Sequence, residues 1–79
     1  MLTEYLRAAM SRAQFEQLND GSWWGSISGF KGLWADGPSQ EACRAALESA
    51  LEDWILFSLR RQLPVPVVDG IDLSVTEVA

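Results

Sequence analysis

From Gln40 to Arg61 the sequence reads QEACRAALESALEDWILFSLRR, with Cys43, Ala46, Leu47, Ala50, Leu51, Trp54, Ile55 and Ser58 recurring at intervals of three and four. That spacing places them on one stripe of an α-helix about 33 Å long, at 1.5 Å per residue. Glu41, Arg44, Glu48 and Glu52 fall on the other side. Ser39 is positioned to cap the start, Glu41 sits in the first turn, and Arg60 and Arg61 close the last, so both ends suit the helix dipole. Pro64 stops the helix, because it has no N–H and restricts Leu63 before it. A helix with one apolar stripe needs a cover, and in a 79-residue chain the remaining segments must supply it.

The residues upstream have the pattern of such a cover. Gln14 to Leu18 and Trp23 to Ser28 are strand-like runs flanking Asn19-Asp20-Gly21-Ser22, and an Asp-Gly pair in that setting predicts a β-hairpin with a type I′ turn. Period two puts Trp23, Gly25 and Ile27 on one face of the second strand and Trp24, Ser26 and Ser28 on the other. One of the two adjacent tryptophans must therefore leave the helix-covered face. Gly29-Phe30-Lys31-Gly32 reads as a turn, Leu33 to Asp36 as a third strand, and Gly37-Pro38 as its end. Before the hairpin, Leu2, Tyr5, Leu6, Ala9, Met10 and Ala13 line one face of a short helix ending near Ala13. After the long helix, Pro64-Val65-Pro66-Val67-Val68 is extended, and its two prolines confine it to a sheet edge. Asp69-Gly70 offers one more turn.

The predicted architecture is α+β, in the order α-β-β-β-α-β: a short N-terminal helix, and a three-stranded antiparallel meander plus edge strand packed on one long helix. Residues 1–70 form a single domain, with 71–79 as a C-terminal tail. A core of this size supports roughly 4 to 12 kcal/mol of stability, so self-association would help it. Leu56, Phe57 and Leu59 fall outside the stripe and leave the end of the long helix apolar on several sides. They are the expected oligomer contact.

Composition removes most catalytic readings. The chain has no His and one Cys, Cys43, so an internal disulfide and a multi-Cys metal site are excluded and the commonest general base is missing. Cys43 keeps register with Leu47 and Trp54 and is expected to be a buried packing residue. Carboxylates are plentiful, and a Mg²⁺-dependent ribonuclease using Asp20 and Asp36 is the enzymatic alternative. However, Asp20, Asp36 and Asp69 each precede Gly at a turn, where Asp is favoured for its own local hydrogen bonding. The expectation is a non-enzyme without metal or cofactor. The longest apolar run, Trp54 to Phe57, is far short of a membrane span, and the first residues do not form a secretory signal, so a soluble cytoplasmic protein is expected.

Charge and aromatic content point to a partner. Six Lys and Arg stand against eleven Asp and Glu, a net charge of -5, which is the wrong sign for binding phosphates and the right one for a basic protein. Direct DNA binding is not expected. Trp23 and Trp54 fit the core; Trp24, Phe30 and Trp34 are surplus to it and are the candidate partner anchors, since exposed Trp is enriched at binding hot spots. Stacking on single-stranded RNA normally uses a basic groove, and this chain has a single Lys.

The order of motifs resembles the N-terminal domain of HicB-type antitoxins. The residues concerned are Phe15 to Gly25 (FEQLNDGSWWG), Gly29 to Ala35 (GFKGLWA), Gly37 to Cys43 (GPSQEAC), the long amphipathic helix and Leu63-Pro64-Val65-Pro66, within residues 1 to about 68. The resemblance implies a partial ribonuclease H-like fold, dimers or tetramers, and the masking of a small basic HicA-type toxin that cleaves mRNA. Such proteins usually carry a C-terminal DNA-binding segment; Ile71 to Ala79 is too short and too acidic for one. The family's capping-box Glu is replaced here by Ala42. An orphan structural oligomer without a toxin is the other non-enzymatic alternative.

Overall fold

The chain runs α1 (Leu2–Met10), β1 (Ala13–Gln17), β2 (Trp23–Ile27), β3 (Trp34–Gly37) and α2 (Gln40–Arg60) in a computed structural model that describes residues 2–71. The strands form one antiparallel sheet in the order β1-β2-β3. The α+β arrangement read from the sequence is therefore present. Of the tail at 71–79, all residues after Ile71 lie outside the described residues.

α2 covers one face of the sheet. Its buried residues, Cys43, Leu47, Leu51, Ile55 and Ser58, follow steps of four and then three. Ala46, assigned to the same stripe by spacing, is exposed. A step of three from Cys43 turns 60° short of a full circle, and at Ala46 it leads away from the sheet. The Ser39 hydroxyl accepts the Ala42 N–H at 3.1 Å, so the cap forms without the carboxylate of a full capping box.

The sheet face beneath α2 carries small residues. Gly25 and Ala35 are paired across β2 and β3, both buried, and Trp23 pairs with Gly37. A Cβ on Gly37 would lie 2.8 Å from the backbone nitrogen of Cys43 and 3.1 Å from the Ala42 carbonyl carbon. Only glycine lets the first turn of α2 approach β3 so closely. The bulk of the core comes instead from Leu47, Leu51 and Ile55 of α2, Ile27 of β2, and Tyr5, Ala9 and Met10 of α1. α1 is shorter than its apolar spacing predicts: it ends at Met10, and Ala13 enters β1 opposite Ile27.

The Asp-Gly pairs at 20–21 and 69–70 make different turns, while the third, Asp36-Gly37, ends β3. At the β1–β2 connection Gly21 N–H donates to Leu18 O and Leu18 N–H to Ser22 O. Gly21 alone has positive φ there, so the loop has three residues and is not the expected type I′ turn, which needs positive φ at both central positions. At 68–71 both Asp69 (φ 50°) and Gly70 (φ 78°) are left-handed, and Val68 and Ile71 exchange both backbone hydrogen bonds. The type I′ geometry is found there.

The proline-containing segment does not join the sheet. Residues 64–67 have no strand pairing, and the Val68–Ile71 bridge is isolated. Pro64 and Pro66 provide no N–H for a ladder. Val65 and Val68 instead insert into the core, and the Tyr5 hydroxyl donates to the Pro66 carbonyl, tying this segment to α1. The end of α2 is set before Pro64 is reached: Gln62 adopts φ 57°, its N–H donates to Leu59 O, and Leu63 N–H donates to Ser58 O. Those are the paired hydrogen bonds of a Schellman motif.

Candidate functional site

The face of the sheet away from α2 is built by the alternate residues of the same strands. Glu16 of β1 pairs with Trp24 of β2, and Trp24 pairs with Asp36 of β3. The next row is Gln14, Ser26 and Trp34. Trp24 and Trp34 are thus diagonal neighbours, with Cα atoms about 7 to 8 Å apart. Trp34 is 54% exposed, Trp24 is half-buried, and Gln14, Glu16 and Asp36 are exposed. Two large aromatic surfaces bounded by two carboxylates therefore form the open face. Sequence alone gives Glu16 no role and Asp36 that of a turn residue or a metal ligand; alternation across paired strands is the signal that joins them to Trp24.

Phe30 does not belong to this surface. It is 4% exposed and packs edge-on against Trp54, ring centroids 5.1 Å apart, and Tyr5, 6.3 Å apart. The connection between β2 and β3 makes two consecutive turns, Phe30 N–H to Ile27 O and Leu33 N–H to Phe30 O, which fold the side chain inward. Trp54 secures that loop from the other side by donating its indole N–H to Lys31 O at 3.1 Å. Phe30 is therefore corrected from a surface anchor to a core residue.

Leu56, Phe57 and Leu59 are exposed at 52%, 52% and 37%, but they do not make a single patch. Leu56 and Leu59 line a groove between α1 and α2 together with Leu2, Leu6, Glu52 and Ile55. Phe57 is 100° round the helix from Leu56 at the ideal helical rotation. The Arg61 guanidinium covers its ring at 5.0 Å. Phe57 is thus set apart from the two leucines.

The remaining reactive groups are locally engaged. The Ser22 hydroxyl and N–H both donate to one Asp20 carboxylate oxygen, at 2.6 and 2.9 Å, and hold its pKa below the ordinary aspartate value. Asp69 pairs with Arg12 at 2.6 Å. Cys43 is buried, its thiol 3.6 Å from Ala35 O; desolvation, and secondarily the charge of Asp36, pushes its pKa up, away from nucleophilic reactivity. Among the described residues no three His, Cys, Asp or Glu side chains gather as metal ligands would, and no helix is long and apolar enough to cross a membrane.

Comparison with known proteins bears on nearly the whole of this frame. A family model described as UPF0150-like matches residues 4–66. The crystal structure of TTHA0281 from Thermus thermophilus is similar, with a TM-score of 0.87 and 39% sequence identity over 96% of this chain and 95% of that one. No curated protein matches the sequence.

Proposed function

The chain belongs to the UPF0150-like family, and from that membership we propose that it is a non-catalytic, antitoxin-like interaction domain of the HicB type that binds and masks a small basic protein. The partner in this reading is a HicA-type toxin that cleaves mRNA. The observation that carries it is the open sheet face, where Trp34 and Trp24 stand beside Glu16 and Asp36 with no helix or strand among the described residues over them. A basic partner meets complementary chemistry there: a guanidinium or ammonium over an indole face gains about 0.5 to 2 kcal/mol, and the adjacent carboxylates offer charge-assisted hydrogen bonds. The net charge of -5 steers such a partner toward the domain from a distance. Masking the partner's own basic surface in this way competes with its RNA substrate.

The nuclease alternative on Asp20 and Asp36 has less support. Asp20 is satisfied within its own turn, and metal-type side chains do not cluster among the described residues. A Trp at the centre of an interface commonly contributes about 2 kcal/mol or more, so Trp34→Ala is expected to weaken binding at least about thirtyfold. The test is co-expression with a small basic HicA-type toxin, followed by co-purification and titration calorimetry. Complex formation and relief of growth arrest by the wild type, with both reduced for Trp34→Ala, are the expected results. No complex and no relief with the wild type would overturn the proposal.

A further inference from the structure

The groove between α1 and α2 changes character along its length. Toward the start of α2 it is lined by Thr3, Arg7, Arg44 and Glu48, and toward the end by Leu2, Leu6, Leu56 and Leu59, with Glu52 at the boundary. The apolar end encloses about 160 Å³, enough for one benzene-sized group such as a leucine side chain. Leu2, Leu56 and Leu59 are all more than a third exposed at its rim. An apolar groove of this kind beside charged residues marks a surface that is covered in use.

The charges around it indicate what covers it. Glu52 lies four residues before Leu56 and Arg60 four residues after, on neighbouring parts of the same exposed side of α2. Neither is paired with another described residue, since Arg12–Asp69 is the only ion pair among them. A second copy of α2 packed antiparallel, with a two-fold axis at Leu56, brings Glu52 of each copy level with Arg60 of the other. Leu56 of each copy then meets the apolar end of its mate's groove, with Leu59 at the rim. The patch is therefore self-complementary in shape and in charge, as a two-fold interface requires.

We propose that the apolar end of the α1–α2 groove is the dimer interface of this protein, occupied by α2 of a second copy and framed by two Glu52–Arg60 ion pairs. The open face carrying Trp24 and Trp34 is on the opposite side of the sheet from α2 and stays free in both copies. The assembly presents two partner-binding faces and binds two partner molecules.

Sedimentation equilibrium of the full chain at micromolar concentration tests this, with circular dichroism confirming the fold of each variant. The wild type should be a dimer. Glu52→Arg and Arg60→Glu should each raise the dimer dissociation constant about tenfold or more, because each turns two attractive contacts into repulsive ones. The double variant should return to within a few-fold of wild type, and Trp34→Ala should leave the dimer intact. A monomeric wild type overturns the proposal, whether residues 72–79 or another protein fills the groove. So does a folded double variant that dissociates like the single ones, or a dimer lost on Trp34→Ala.

Discussion

The two faces of one sheet divide the labour of this domain. Under α2 the strands present Gly25, Ala35 and Gly37, low residues that let a helix rest almost on the backbone, and the helix supplies the leucines that fill the space. On the other side the same strands present Trp24 and Trp34 among carboxylates and amides, with no covering element among the described residues. Strand alternation makes both faces from one run of residues, so their contrast is one of use. A covered face is used for packing, whereas a face left open while carrying two tryptophans offers contact area to something outside the chain.

Substitutions on the two sides should separate stability from recognition. Leu51→Ala removes a fully buried side chain from the centre of the covered side and is expected to cost about 2 to 5 kcal/mol, measured by urea unfolding. That is a large fraction of what a 79-residue domain has, and partial unfolding at physiological temperature is the expected consequence. Gly37→Ala drives a methyl group against the backbone of Cys43 and Ala42, where no side-chain rotation relieves it; about 1 to 3 kcal/mol is expected. Trp34→Ala on the open face should change stability by less than about 1 kcal/mol, although it removes far more atoms than Leu51→Ala. An unfolding cost for Trp34→Ala as large as that for Leu51→Ala would break the distinction between the faces.

The covered face was the more legible of the two from sequence, because burial enforces periodicity. The steps of four from Cys43 through Ile55 identify α2 and its orientation without any tertiary information. Ala46 shows the limit of that signal: alanine is tolerated on either side of a helix, so its spacing carries little information. The open face was only half legible. Trp24 and Trp34 stand out as surplus aromatics, but Phe30 shares their composition signal and sits in a turn, where no period states which way a side chain points. The Asp-Gly pairs at 20–21 and 69–70 teach the same lesson at the level of turns. Asp20 bonds to Ser22 two residues on and belongs to a three-residue loop, whereas Asp69 takes positive φ and pairs with Arg12, 57 residues away in sequence. The prolines at 64 and 66 predict a sheet edge, but the segment joins no sheet. That Val65 and Val68 enter the core instead depends on the Tyr5 hydroxyl donating to the Pro66 carbonyl, a contact 61 residues distant that no local pattern encodes.

The smallest expected effect tests how dry the covered side is. Cys43 has its thiol pKa raised, chiefly by desolvation and further by the charge of Asp36. Below the ordinary thiol pKa of about 8.5 both folded and unfolded chains keep the proton, and the thiol adds no pH dependence. Above it the unfolded chain releases its proton while the folded chain retains it, so the unfolded state binds fewer protons and stability falls as pH rises toward the folded-state pKa. Other groups also respond to alkaline pH, so the informative quantity is a difference between proteins. Urea midpoints taken from neutral pH to about pH 10 should fall more steeply for the wild type than for Cys43→Ala, and the native thiol should resist alkylation at rates that the unfolded chain does not. Equal slopes together with rapid labelling would mean that water reaches Cys43 beneath α2, and the two faces of the sheet would then differ in residue size but not in solvent exclusion.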